Sequence, residues 1–146
     1  MDLQTFDIET SVGFLLAKAH QRLFAHFREE LTPYGLTPPQ FALLAFLWEN
    51  DALSQVELSE KTQIDRSTIG GLIDRLQKAG LVERHPNPND RRSFLVQLTP
   101  RGRALEKDLT TLALRVRKRF TSRLSEREYD QLSELLEKLR DQGGTP

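Results

Sequence analysis

Apolar residues recur at spacings of three and four along most of the chain, and each such stretch predicts a helix. Ile8, Val12, Leu15, Leu16, Ala19, Leu23, Phe27 and Leu31 form the first and longest stripe. Thr32-Pro33-Tyr34-Gly35 ends it, since proline lacks the N–H for helical pairing and glycine favours a turn. Phe14 and Phe24 lie off that stripe. The first helix is therefore apolar on more than one side and predicts two neighbours, one from another subunit.

A second helix opens at Thr37-Pro38-Pro39-Gln40, a capping box with proline in the first turn, and carries Phe41, Leu44, Ala45 and Trp48. Ser54-Gln55-Val56-Glu57 repeats the box and starts a short third helix to about Lys61. After a tight link, Ile69, Leu72, Ile73 and Leu76 define one face of a fourth helix, which Gly80 ends. The period then changes. Leu81-Val82-Glu83-Arg84 and Phe94-Leu95-Val96-Gln97-Leu98 read as strands around the turn cluster Pro86-Asn87-Pro88-Asn89-Asp90. Thr99-Pro100 starts one long fifth helix through Leu105, Leu109, Leu112, Val116 and Phe120. A last capping box, Ser125 to Glu128, opens a helix with Tyr129, Leu132, Leu135, Leu136 and Leu139 on its face. Gly143-Gly144-Thr145-Pro146 reads as an unstructured tail.

The predicted fold is mainly α with a small β-hairpin, an α+β arrangement. A short helix, a tight turn, a second helix and then a hairpin describe a winged helix-turn-helix. We assign residues 37–100 to that lobe, and residues 1–36 with 101–146 to a helical dimerisation region. The end stripes are too long for the lobe alone to cover. A homodimer buries both, with Ile8, Val12, Leu15, Phe120, Leu132, Leu135, Leu136 and Leu139 as candidate interface residues.

In such a lobe the fourth helix enters the DNA major groove. Its apolar face packs inward, which leaves Arg66, Ser67, Thr68, Gly71 and Arg75 outward. Arginine pairs bidentately with guanine, and Ser or Thr serves base edges or phosphates. Ser54 and Gln55, at the start of the short helix, join the candidate DNA-binding set. Gly70-Gly71 costs roughly 1 kcal/mol per glycine relative to alanine inside a helix. Two explanations remain open: close approach to the groove, or close packing between helices. At the hairpin tip, Arg91 and Arg92 suit phosphates or a narrow minor groove. Asp65 and Asp90 repel phosphate, so they are expected to act as clamps, with Asp65 paired to a wing arginine, Arg92 rather than Arg91.

Charge alone does not argue for DNA. The chain carries 21 basic and 21 acidic residues. Residues 1–52 are net −4, 53–100 net +1 and 101–146 net +3, while 65–92 holds 6 basic against 4 acidic groups. The absence of cysteine excludes disulfides, thiolate zinc sites and thiol redox switching. Three scattered histidines, His20, His26 and His85, do not suggest a metal site, and no cofactor is expected. No stretch approaches the roughly 20 apolar residues of a membrane helix, and the first residues do not read as a secretory signal, so a cytoplasmic location is expected.

At residues 53–102 the sequence resembles the MarR family of bacterial transcription regulators. The runs that carry the likeness are Leu53-Ser54-Gln55-Val56-Glu57-Leu58, Asp65-Arg66-Ser67-Thr68, and Asp74-Arg75-Leu76-Gln77-Lys78-Ala79-Gly80-Leu81-Val82-Glu83-Arg84. They continue in Asn87-Pro88-Asn89-Asp90-Arg91-Arg92-Ser93 and Leu98-Thr99-Pro100-Arg101-Gly102. Thr62 departs from the family pattern, where a bulkier apolar residue is usual, and so does the glycine pair. The resemblance implies obligate homodimers held by their first and last helices, bound to pseudo-palindromic operators, mostly as repressors. It also implies release from DNA when a small, often aromatic or anionic, molecule binds between the dimer helices and the reading lobe. His20, Phe24, Phe41 and Trp48 fall where such a cavity would lie, with Arg22 or Arg28 to pair a carboxylate. Against this, Phe41 and Trp48 also suit a core, His20 a surface or interface, and the arginines a solvated face.

Two other classes compete. An enzyme needs a nucleophile–base pair, a metal cluster or a phosphate loop, and none is visible. A helical protein–protein adaptor needs only the end helices, but it leaves the basic wing and the exposed Arg66 and Arg75 without a role.

Overall fold

Ser11 decides where the first long helix begins. In the computed structural model, which describes residues 5–141, its backbone is extended and its Oγ accepts the Phe14 N–H at 3.4 Å. Helix α1 is therefore Val12–Leu31, and Ile8 lies outside it in a single 3-10 turn, Ile8–Thr10. The stripe expected to start at Ile8 starts one turn later. The hydroxyls of Thr10 and Ser11 donate back to the Asp7 and Ile8 carbonyls at 3.3 and 2.8 Å. Such local bonds compete with helical pairing. A second 3-10 turn, Thr32–Tyr34, ends at Gly35, whose φ of 69° suits a residue without a Cβ.

Helices α2 (Pro38–Glu49), α3 (Gln55–Thr62) and α4 (Arg66–Lys78) follow. The capping boxes at Thr37/Gln40 and Ser54/Glu57 form in both directions, as their sequences predict. The hairpin expected from sequence is a three-stranded antiparallel sheet. Strands β2 (Val82–Asn87) and β3 (Asp90–Leu98) pair, and β1 (Leu53–Ser54) adds to the free side of β3, giving the order β1-β3-β2. A two-residue strand leaves no periodic signal, so only the fold reveals it. The turn is also shorter than Pro86 to Asp90. Pairing reaches Asn87↔Asp90, leaving Pro88-Asn89 as the tip. Pro86 is tolerated inside β2 because that strand lies at the sheet edge, where a missing N–H costs nothing.

The single long helix expected from residue 100 is two: α5 (Pro100–Ala104) and α6 (Glu106–Phe120), parted where Leu105 relaxes to φ −79°, ψ −12°. Helix α7 (Glu126–Arg140) closes the described chain, opened by its Ser125/Glu128 capping box. The tail 143–146 lies outside the described residues.

One apolar cluster holds these parts together. Leu43, Leu44 and Leu47 of α2 pack with Leu58 of α3, with Ile69, Leu72, Ile73 and Leu76 of α4, and with Val82 and Val96 of the sheet. Leu109, Leu112 and Val116 of α6, together with Leu31 of α1, extend the same cluster. Trp48 is only 8% exposed, and its indole N–H donates to the Gly102 carbonyl at 3.0 Å. That bond fastens α2 to the start of α5. A Cβ on Gly102 would collide with the Leu81 carbonyl oxygen, so only glycine fits where α5 passes the backbone just before β2. Helix α7 buries no residue at all.

Candidate nucleic-acid interface

The turn between α3 and α4 is built from hydroxyls. Thr62 Oγ1 donates to the Leu58 carbonyl at 2.7 Å and accepts the Ile64 N–H at 3.2 Å, while Ser59 Oγ donates to the Ile64 carbonyl. Thr62, the departure noted in the sequence, thus ties the turn with hydrogen bonds in place of apolar bulk. Gln63 takes the left-handed conformation that ends α3, at φ 63°.

The core face of α4 is buried as its period predicts: Ile69, Leu72, Ile73 and Leu76. Opposite that face the helical steps align Ser67, Gly71 and Lys78, flanked by Thr68, Arg75 and Asp74. Ser67, Thr68, Arg75 and Lys78 are exposed. Lys78 belongs to this outward face and was missed by the sequence reading, although its spacing from Ser67 and Gly71 carries the signal. Arg66 is exposed at the N-terminus of α4. Helix N-termini favour anions, and the Asp65 carboxylate takes that place here.

The two glycines separate in role. A Cβ on Gly70 would meet Gln55 Nε2 at 3.3 Å, whereas one on Gly71 would meet nothing within 4 Å. Gly70 therefore serves helix–helix packing, and Gly71 leaves open space on the outward face. Gln55, expected among DNA contacts, spends its amide on the fold: Nε2 donates to the Arg66 carbonyl at 3.2 Å. Ser54 is likewise used in its capping box, with Oγ accepting the Glu57 N–H at 3.1 Å.

The expected ion pair from Asp65 to Arg92 is not formed. Asp65 is turned toward its own helix, where its carboxylate accepts the Ser67 hydroxyl. Hydrogen bonds from Ser67, and then Thr68, hold its carboxyl below the ordinary value. Asp90 is also occupied locally, accepting the Arg92 backbone N–H at 2.9 Å. Asp65 finds a closer donor in Ser67 than in an arginine side chain that must cross from β3. The consequence is electrostatic. Among the described residues, Arg66, Arg75, Lys78, Arg91 and Arg92 have no carboxylate within 4.0 Å. These cations lie on one outward helix face and one hairpin tip.

A further residue that the sequence reading passed over lies between them. Arg84 of β2 contacts Asp74 at 2.7 Å, Gln77 Oε1 at 2.8 Å and the Gly70 carbonyl at 3.4 Å. The period-two pattern of β2 was the available signal, since it places Arg84 on the same face as buried Val82.

The six candidate ligand residues sit in different surroundings. Phe41 packs between Phe27 and Trp48, with ring centroids 5.6 and 6.0 Å away, as part of the core. His20 and Phe24 stack on each other along α1 at 4.8 Å. Arg22 lines a groove of about 370 Å³ with Lys18, Phe120, Arg123, Leu124 and Leu132. Arg28 is exposed near the end of α1. Of the candidate dimer residues, Val12 is 68%, Leu15 53%, Leu135 57% and Leu139 69% exposed; Ile8, Leu132 and Leu136 are exposed too, and Phe120 is half-buried.

Comparison with known proteins agrees with this geometry. A family model described as the MarR family matches residues 36–94. The transcriptional repressor NicR of Pseudomonas putida is 40% identical over 105 residues, which make up 72% of this chain and 66% of NicR. Among solved structures, Bordetella bronchiseptica BpsR, whose DNA binding is regulated by 6-hydroxynicotinic acid, superposes with a TM-score of 0.88 at 34% identity. That match covers 94% of this chain and 98% of BpsR. A mutant MarR of E. coli, complexed with operator DNA, superposes with a TM-score of 0.85 at 30% identity, covering 93% of this chain and 100% of that one.

Proposed function

The chain belongs to the MarR family, and from that premise we propose that it is a sequence-specific regulator of transcription, acting as a homodimer on a pseudo-palindromic operator. The observation that carries the reading is the set of unpaired cations. Arg75 and Lys78 project from the outward face of α4, and Arg91 and Arg92 tip the wing beside it. Arginines held this way can read guanine edges and phosphates without first breaking an ion pair. Residues 37–100 do the reading, and the terminal helices set the distance between two copies. Repression is the expected output, as for NicR. The work is done in the cytoplasm and needs no catalytic group. No described helix is long and apolar enough to cross a membrane.

The dimer reading rests on the open leucine seam of α7 and the bare first turns of α1. A small aromatic or anionic effector, of the kind that regulates BpsR, is proposed to release the DNA. Trp48 is well placed to report it, since its indole bonds across the junction of α2 and α5.

The test is a titration of the full chain against a duplex from its own promoter region over a salt series. Binding should weaken steeply with ionic strength through counterion release. The variant Arg91→Ala should weaken binding uniformly across sequences and lower the salt slope by about 1, whereas Arg75→Ala should cost about 1–3 kcal/mol and relax the sequence preference. A wild-type chain that shifts no duplex at low salt would favour the adaptor reading.

A further inference from the structure

We infer that Arg84 is a positioning residue for DNA binding, a clasp that sets the angle between the wing and the recognition helix α4. This rests on the DNA-reading function proposed above. Arg84 stands on β2 opposite Val96 and points to the inner face of the sheet. Its guanidinium meets three acceptors that climb one side of α4: the Gly70 carbonyl, Asp74 Oδ1 and Gln77 Oε1. Those residues are four and three apart, so they form one ridge on the helix. The fork geometry of arginine satisfies several acceptors at once, which a lysine cannot reproduce.

Among the described residues, no side chain of the wing beyond Arg84 makes a hydrogen bond or ion pair to α4. Beyond Arg84, β2 continues through His85, Pro86 and Asn87 to the tip, and the bonds of the tip are internal. Asn87 donates to Ser93 and accepts from Asn89, and Asp90 accepts from Arg92. The wing arginines are therefore carried on a lever whose outermost anchor to the helix is Arg84. The clasp also neutralises Asp74. That carboxylate is 69% exposed on the flank of the outward face, where an unpaired anion would oppose a phosphate.

These roles separate in a substitution experiment on the full chain, with two readouts. The first is amide hydrogen exchange of the free protein, which needs no DNA. Arg84→Gln should speed exchange at residues 87–93 while leaving α1 and α6 unchanged. Asp74→Asn, at an exposed site that tolerates substitution, should do the same to a smaller degree. The second readout is affinity for the operator duplex, expected to fall about tenfold in Arg84→Gln and several-fold in Asp74→Asn. Arg84→Lys, which keeps the charge but not the fork, should recover the exchange protection and the affinity only in part. The inference is overturned if wing exchange is unchanged in both Arg84→Gln and Asp74→Asn, if Asp74→Asn binds more tightly, or if Arg84→Lys protects the wing as fully as arginine does. A wild-type chain that binds no duplex refutes the DNA reading instead, and the exchange data still decide whether the clasp exists.

Discussion

The reading lobe and the terminal helices of this chain answer the same demand, burial of apolar surface, in opposite ways. In α2, α3, α4 and the sheet, the apolar stripes close on one another, and Leu43, Leu44, Leu47, Leu58, Ile69, Ile73 and Leu76 are fully enclosed. Helix α7 has as regular a stripe, yet Leu132, Leu135, Leu136 and Leu139 all remain exposed, as do Val12, Leu15 and Leu16 of α1. Burying a leucine is worth about 1.5–3 kcal/mol, so a seam of this length left in water is a strong drive to associate. The difference separates two kinds of information. The stripes of α2, α3 and α4 are spent inside one chain, against Leu31 of α1 and Leu109, Leu112 and Val116 of α6, whereas the seam of α7 and the first turns of α1 are left for a second copy.

The most damaging way to break that division is at the joint between the regions. Gly102→Ala forces a Cβ against the Leu81 carbonyl and loosens the carbonyl that holds Trp48. It should cost about 3 kcal/mol or more, read as a large drop in melting temperature for both regions together. Next comes the seam. Replacing Leu135 and Leu139 by Glu should leave the helical content and the core of the lobe intact while raising the dimer dissociation constant at least about 100-fold, or about 2.7 kcal/mol, read by sedimentation. Normal sedimentation with a collapsed core would reverse the comparison.

A smaller effect tests the glycine pair inside the lobe. Gly71→Ala meets no atom, so it should stabilise the protein by roughly 0.5–1 kcal/mol through helix propensity while weakening operator binding. Tighter binding would show that Gly71 does not face the groove. The smallest effect concerns Asp65. Its folded-state pKa is depressed, so the stability it contributes is present at neutral pH and lost as pH falls below 3.8 through the lower folded value. Ser67→Ala removes the main cause, so its modest deficit against wild type should be seen at pH 7 and vanish in acid melts.

Much of the lobe was legible because its signals are local. The capping boxes at Thr37 and Ser54 and the 69–76 stripe each announce an element within a few residues. What escaped depends on partners far away in sequence. Leu53-Ser54 becomes a strand only because β3 passes beside it. The break at Leu105 leaves no signal in a stripe that continues through it. Asp65 was assigned to Arg92 by charge, but a hydroxyl two residues away wins over an arginine on another element. Gln55 carries a polar side chain suited to DNA, yet the fold spends its amide on the Arg66 carbonyl, a partner eleven residues away that no local pattern reveals. Arg84 takes its role from Gly70, Asp74 and Gln77 on another element, although its strand period places it on the inner face.

The measurement that bears most directly on the account is selection of bound duplexes from a random pool by the full-length chain. Two reading lobes held by the terminal helices should enrich inverted half-sites about one helical turn, roughly 10 bp, apart centre to centre. Enrichment of a single asymmetric half-site, or of no sequence at low salt, would contradict it.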